Sequence, residues 1–402
     1  MDQHRWRFWP VILLAIFYPM NMNLLGLAIP LYFFRRAVPT EIIGILISAT
    51  TVTYSISPLL LSGISERLPR KTSVVIGMAG AFLTQLIFYI TLHPIPFLIA
   101  RLCEGFIVGF FWTNLQASIS DNVHHRHRKL TALYNLSWNM GLILGLILGA
   151  ILTFLASDLR IVFYFAPVFL LVNVVIAWCA FQEPQKFSNG SEFAPLVTEE
   201  GKKNPEDDLN IIEQPLLEQI EFPRYYPFLL AILYALVRSS FKFLFPIKSE
   251  ILGFDTYTVY IASIFFALSQ CLAMFVASSV SLKYLEELHL LIILSLLIFT
   301  PLFGFNTNYY IFIIIFLIIG CCTGLLYGIS LRLVLILNMR HERSVFSAAL
   351  ESVVGICFLL APFFAGYLTY ISLDFPVYIL TVVLALFSFL LIFLIQKHIS
   401  VK

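Results

Sequence analysis

The stretch that decides the reading runs from Gln182 to Tyr226. Its middle reads Lys186-Phe-Ser-Asn-Gly190-Ser191, then Glu199-Glu200-Gly-Lys202-Lys203-Asn204-Pro-Glu206-Asp207-Asp208. Its apolar residues are too few and too unevenly placed to bury a core, so it reads as a largely disordered tether. What flanks it is the opposite. Six long apolar runs precede it, near 10–34, 41–61, 73–92, 95–118, 131–155 and 160–181. Six follow it, near 227–247, 256–279, 288–304, 309–337, 345–370 and 375–395. Each comes close to the roughly 20 apolar residues that carry a helix across a bilayer. The expectation is an all-α integral membrane protein with twelve transmembrane helices in two pseudo-symmetric six-helix bundles. Residues 1–181 and 227–402 form the bundles, and 182–226 form a cytoplasmic central loop.

Composition agrees. The 402 residues are 60% hydrophobic and 12% charged, where soluble domains average about 25% charged. Closed β-barrels would show alternating segments of about ten residues, which this sequence lacks. A net charge of +2 gives no reason to expect a nucleic-acid partner. The six cysteines (Cys103, Cys179, Cys271, Cys321, Cys322 and Cys357) sit in apolar runs without zinc or redox spacing, and read as packing residues. No His/Asp metal pair and no nucleophile–base constellation stands out, so neither an enzyme nor a metal or cofactor is expected. The N-terminal run lacks a small-residue cleavage site and reads as a retained first helix.

Lys and Arg set the orientation. With both termini on one side, segments on that side carry 17 of them, against 4 opposite (Arg35, Arg36, Arg160 and Lys248). This positive-inside bias places both termini in the cytoplasm; a plasma-membrane monomer is expected. The halves also echo each other. An offset of 216 aligns Pro30 with Pro246, Thr40 with Thr256 and Ser62 with Ser278, and Gly105-x-x-x-Gly109 recurs as Gly324-x-x-x-Gly328. Weak internal repeats of this kind mark transporters whose ligand sits between the repeats near mid-membrane.

The loop after the second helix, Ser62-Gly-Ile-Ser-Glu66-Arg67-Leu-Pro69-Arg70-Lys71, resembles the signature of the major facilitator superfamily, Gly-x-x-x-Asp-Arg-x-Gly-Arg-Arg/Lys. Ser62 and Pro69 replace its two glycines, so this turn must be built differently. Arg101-x-x-Glu104-Gly105 resembles the family's Arg-x-x-Gln-Gly motif. Gly141-x-x-x-Gly145-x-x-x-Gly149 is similar to its antiporter glycine motif, with Leu146 where a proline is usual. The resemblance implies alternating access and a small-molecule substrate, with Glu66, Arg67 and Arg70 in conformational control. It also implies that the first and seventh helices line the central cavity.

Six ionisable residues fall inside the spans: Arg101, Glu104, Arg238, Lys242, Arg332 and Glu351. Such groups are costly in the bilayer and face a cavity or a partner. Arg238 and Lys242 share one face at i,i+4 spacing. They call for a negative neighbour, either a substrate anion or Glu351, unless Lys242 snorkels to the interface. Arg101 and Glu104 read either as a coupling pair or as a buried structural one. Glu104 or Glu351 could carry a co-transported proton. Arg332 reads as an inner-gate partner or as an interfacial snorkeller. Asn21, Asn23, Asn114, Trp138, Asn139 and Gln270 are candidate substrate contacts, with packing as the alternative for each; Trp112, Gln116 and Tyr134 could line the cavity too. The histidine-rich loop at His124 to His127 reads as a basic patch facing lipid rather than a metal site. Glu213-Gln-Pro-Leu-Leu217 falls one residue short of a sorting signal and is taken as chance. The function expected is transport of a small polar or amphipathic solute, an organic anion being favoured. A multidrug exporter and a non-transporting receptor or scaffold are the alternatives.

Overall fold

The computed structural model describes residues 8–65, 67–89, 91–121, 127–156, 158–183, 220–279, 285–341, 345–398 and 400–401. Glu66, the histidine-rich turn at 122–126 and the central segment 184–219 lie outside the described residues.

Among the described residues, twelve helices are long and apolar enough to cross a membrane. The first six are α1 (Trp9–Arg35), α2 (Thr40–Ser65), α3 (Arg70–Phe88), α4 (Pro94–Asp121), α5 (His127–Leu155) and α6 (Arg160–Cys179). The second six are α7 (Tyr226–Ile251), α8 (Thr256–Ser279), α9 (Leu285–Phe305), α10 (Tyr309–His341), α11 (Val345–Leu368) and α12 (Phe375–His398). A helix satisfies its own backbone within one segment, which is why lipid tolerates this architecture. The other regular element among the described residues is a two-residue antiparallel pairing, β1 (Ile220–Glu221) with β2 (Ser400–Val401), in which Ile220 lies opposite Val401. It joins the entry to α7 to the residues beyond α12.

The repeat seen in the sequence is a repeat of construction. Thr40 opens α2 and Thr256 opens α8; Pro30 lies inside α1 and Pro246 inside α7. Each proline lacks an amide hydrogen, so the carbonyl four residues earlier loses its helical donor. Those carbonyls belong to Gly26 and Lys242.

Small residues set the helix spacings. A methyl on Gly105 would run into the Thr50 carbonyl, and one on Gly109 into Ser57, so α4 lies directly on α2. The same device seats α10 on α8, with Gly324 against the Gln270 carbonyl and Gly328 against Ala277. Lipid tails are as apolar as leucine, so such close approach, with its dispersion contacts, does the work that hydrophobic burial does in water. On α5 the glycines divide their roles: Gly141 and Gly145 face the α1 backbone at Ile16 and Met20, whereas Gly149 faces the Tyr260 ring of α8. One run of glycines therefore serves both packing within the first half and the seam between halves, where α1 meets α7, α2 meets α11 and α5 meets α8.

Lys248 is more enclosed than its sequence position suggests. Counted in the sequence with the outer-segment charges, it lies in the last turn of α7 and is 4% exposed. Its Nζ pairs with Asp374 Oδ1 at 2.7 Å and also donates to the Gly304 carbonyl. A lysine tolerates such burial within the protein when a carboxylate and a carbonyl from distant chain both reach it.

Candidate functional site: a cationic cavity between the halves

Asn23 and Leu27 of α1 and Leu146 of α5 face Arg238, Phe241, Lys242 and Phe245 of α7 across a cavity. Ser263, Phe266, Ala267 and Gln270 of α8 and Phe316 of α10 close it. Its volume is about 50 Å³, room for a few waters. Asn23 is twelve residues from the end of α1, roughly 18 Å at 1.5 Å per residue, which is near the middle of the span.

Within it, Lys242 Nζ donates to Asn23 Oδ1 at 2.9 Å, so an α7 cation reaches across the seam to α1. Asn23 is fixed for this role because its own amide donates to the Leu142 carbonyl at 3.0 Å. Gly26 gives the lysine passage: a Cβ there would lie 2.5 Å from Lys242 Cε and 2.7 Å from Nζ. Arg238 donates through one amino group to Tyr234 Oη at 2.7 Å and lies over that ring. Gln270 is 3% exposed, and its side-chain amide nitrogen has no hydrogen-bond partner among the described residues. Among the described residues no carboxylate lies within ion-pair distance of Arg238 or Lys242, and none lines the cavity. Two cations and an unused donor therefore face four phenylalanine rings. That arrangement can hold an anion with an apolar body.

Neither alternative partner for Lys242 is adopted: it does not snorkel, and Glu351 bonds elsewhere. Tyr234 stacks on Tyr327 at 4.4 Å, and Tyr327 Oη donates to Glu351 Oε1 at 3.5 Å. The two tyrosines thus stand between Arg238 and Glu351, whose residue surface is exposed. Arg332 is half-buried on α10 and is not part of the cavity lining.

Arg101 and Glu104 form an ion pair at 2.9 Å inside the first half. Glu104 is 2% exposed and also accepts from Gln85 Nε2 and Tyr89 Oη, each at 2.8 Å. Gln85 continues the network to Asn21 at 3.0 Å, and Asn21 reaches the Ala166 carbonyl at 2.6 Å. Asn21 is fully buried and bonds across helices α1, α3 and α6, away from the cavity that Asn23 lines. Gln85 went unremarked in the sequence because a neutral amide inside an apolar run carries no signal beyond its polarity.

The remaining candidates lie elsewhere. Arg70 donates to Asn114 Oδ1 at 3.0 Å, linking the starts of α3 and the later turns of α4. The loop that lacks the expected glycines is closed by Glu183, which accepts from the Arg70 and Lys71 amides at 2.7 and 2.8 Å and so caps α3. Arg67 is exposed in that loop. Trp138 packs on Trp112 at 4.4 Å and near Tyr18, and Asn139 bonds the Asn135 carbonyl one turn back.

Further ties across the seam run from mid-membrane to the α1–α2 connection. Arg35 Nε meets Glu250 Oε1 at 2.8 Å and its NH2 donates to Thr256 at 2.8 Å. Thr369 bonds Thr40 at 2.6 Å, Ser48 bonds the Leu359 carbonyl at 2.8 Å, and Tyr260 Oη bonds the Leu24 carbonyl at 2.8 Å.

Comparison with known proteins agrees with this architecture. The model of the Major Facilitator Superfamily matches residues 11–288. No match is found among curated proteins. Among solved structures, a bacterial homologue of the human lysosomal transporter Spinster, inward-facing and unoccupied, superposes with a TM-score of 0.74 at 13% identity over 100% of both chains. Its inward-facing occupied form gives 0.71 at 12% over 97% of each chain. The nucleoside transporter NupG gives 0.69 at 11%, over 96% of this chain and 99% of its own.

Proposed function

The chain belongs to the Major Facilitator Superfamily, and from that premise we propose that it is a secondary transporter moving a small organic anion by alternating access of its two halves. The observation that carries this reading is the cavity's charge. Arg238 and Lys242 face it with no carboxylate among its lining residues, and two uncompensated cations at mid-membrane are costly. An anion would neutralise them, the Gln270 amide would supply a neutral donor, and the phenylalanines would cover an apolar body. At about 50 Å³ the cavity is well below the roughly 300 Å³ where small-molecule sites begin. Loading therefore requires the seam to part.

The positive-inside bias puts the tied α1–α2 end outside, so this conformation reads as closed to the exterior. The inward-facing states of the Spinster homologue support the same assignment. Of the two candidate proton carriers, Glu351 fits better, because it is exposed whereas Glu104 is enclosed by Gln85, Tyr89 and Arg101. The four phenylalanines favour a second reading, export of lipophilic solutes.

Uptake into proteoliposomes tests both. Aromatic carboxylates should be transported, and Lys242→Met and Arg238→Gln should abolish the flux while leaving the protein monodisperse. If a pH gradient drives uptake, Glu351→Gln should uncouple it. Flux of lipophilic cations, unchanged in the two cation variants, would refute the anion reading and establish the exporter.

A further inference from the structure

A second group of cations lies outside the cavity, on the surface at the tied end of the seam. Tyr32, Arg35 and Arg36 at the end of α1 and Asp158, Leu159 and Arg160 at the start of α6 line an open pocket of about 330 Å³. Three guanidinium groups meet one carboxylate there. Asp158 is a weak counter-charge: it is 3.8 Å from Arg160 Nε, and its Oδ1 accepts from the Arg160 backbone amide. Arg36 has no carboxylate partner among the described residues and lies 5.4 Å from the Tyr32 ring centroid.

Arg35 belongs to both this pocket and the seam. Its Nε and NH2 hold Glu250 and Thr256 of the other half, which leaves NH1 without a partner among the described residues. The pair is also incomplete from the other side, since Glu250 Oε2 is buried without a partner among the described residues. A carboxylate gripped by one oxygen lacks the paired geometry that makes arginine–carboxylate contacts strong. We propose that this pocket binds an anion of phosphate or carboxylate type, and that the bound anion draws Arg35 from Glu250 and loosens the seam at this end. The pocket would then sense anions on the far side of the closed seam. This does not depend on what the central cavity carries.

The test is a pair of spin labels on the full chain, one in the α1–α2 connection and one in the α7–α8 connection, read by pulsed dipolar spectroscopy in nanodiscs. In phosphatidylcholine discs, inorganic phosphate should shift the population toward longer distances, whereas chloride at equal ionic strength should not. Arg36→Gln with Arg160→Gln, both at exposed positions, should weaken the phosphate response roughly three- to tenfold, as expected for solvent-exposed charge contacts. Their melting temperature reports that the fold is kept. Discs containing phosphatidylglycerol separate the two sources of the anion: a shift without added phosphate, lost in the double variant, assigns the pocket to a lipid headgroup. A phosphate shift of equal size and midpoint in the double variant would overturn the proposal, as would no shift with either anion source.

Discussion

Replacing Gly26 by alanine tests whether the seam at mid-membrane is held by one lysine. The new Cβ would sit 2.5 Å from Lys242 Cε and 2.7 Å from Nζ. Those atoms end a flexible chain, so the lysine swings away and α1 keeps its place. What is lost is the bond to Asn23, a hydrogen bond from a charged donor worth about 1.5–3 kcal/mol. Alanine in place of a helical glycine returns up to about 1 kcal/mol. The net loss should be roughly 0.5–2 kcal/mol. Gly145→Ala makes the contrast, because its methyl would meet the backbone carbonyl of Met20, which cannot swing aside. Overpacking of that kind costs about 1–3 kcal/mol or more. Unfolding in mixed micelles by titration with a denaturing detergent measures both, and a double-mutant cycle isolates the contact. In a Lys242→Ala background Gly26→Ala should become neutral or stabilising. An equal loss in both backgrounds would refute the reasoning, since the glycine would then be serving something other than the lysine.

Other expectations follow from the same contacts. Glu104→Gln leaves Arg101 without its counter-charge in a buried network, so a loss of about 3–5 kcal/mol is expected, seen as failure to elute as a single species after extraction. Lys248→Met should destabilise by about 1–3 kcal/mol, because Asp374 and the Gly304 carbonyl lose their donor; adding Asp374→Asn should recover part of it, and no recovery would count against the pair. Tyr260→Phe removes a tie to the Leu24 carbonyl across the seam and should cost about 1 kcal/mol while raising accessibility on the α1–α2 side. For orientation, Gly190→Cys in a background without the six native cysteines should react with an impermeant maleimide only after the membrane is opened; labelling of intact cells would reverse the topology.

Much of the fold is legible in the sequence because the bilayer enforces it. An apolar run of sufficient length has few options besides a helix, and the glycines of α4 and α10 mark where helices must touch. The shared face of Arg238 and Lys242 follows from i,i+4 spacing, and both do line one cavity. What the spacing cannot give is the partner. Asn21 and Asn23 are two residues apart, yet one is enclosed by Gln85 and Ala166 and the other takes Lys242 from 219 residues away. Glu183 capping α3 and Asp374 reaching Lys248 are long-range too, across 113 and 126 residues. A sequence reports what a residue can bond to; the three-dimensional neighbourhood decides which bond is made.

Two anchors described above fix where the connecting chain leaves each half: Glu183 on the α3 amides, and Ile220 in the pairing with Val401. Between them lie residues 184–219, a length whose fully extended reach is roughly 120 Å, about four times the thickness of a bilayer's hydrocarbon core. A chain of that length would, if extended, set no mechanical stop on the two halves within the thickness of a membrane. The resting grip between them is a non-covalent latch, set by a few side chains such as Arg35, Tyr260 and Lys242. The halves ought then to reassemble when made as two separate polypeptides, 1–183 and 220–402, with the linker contributing only local concentration.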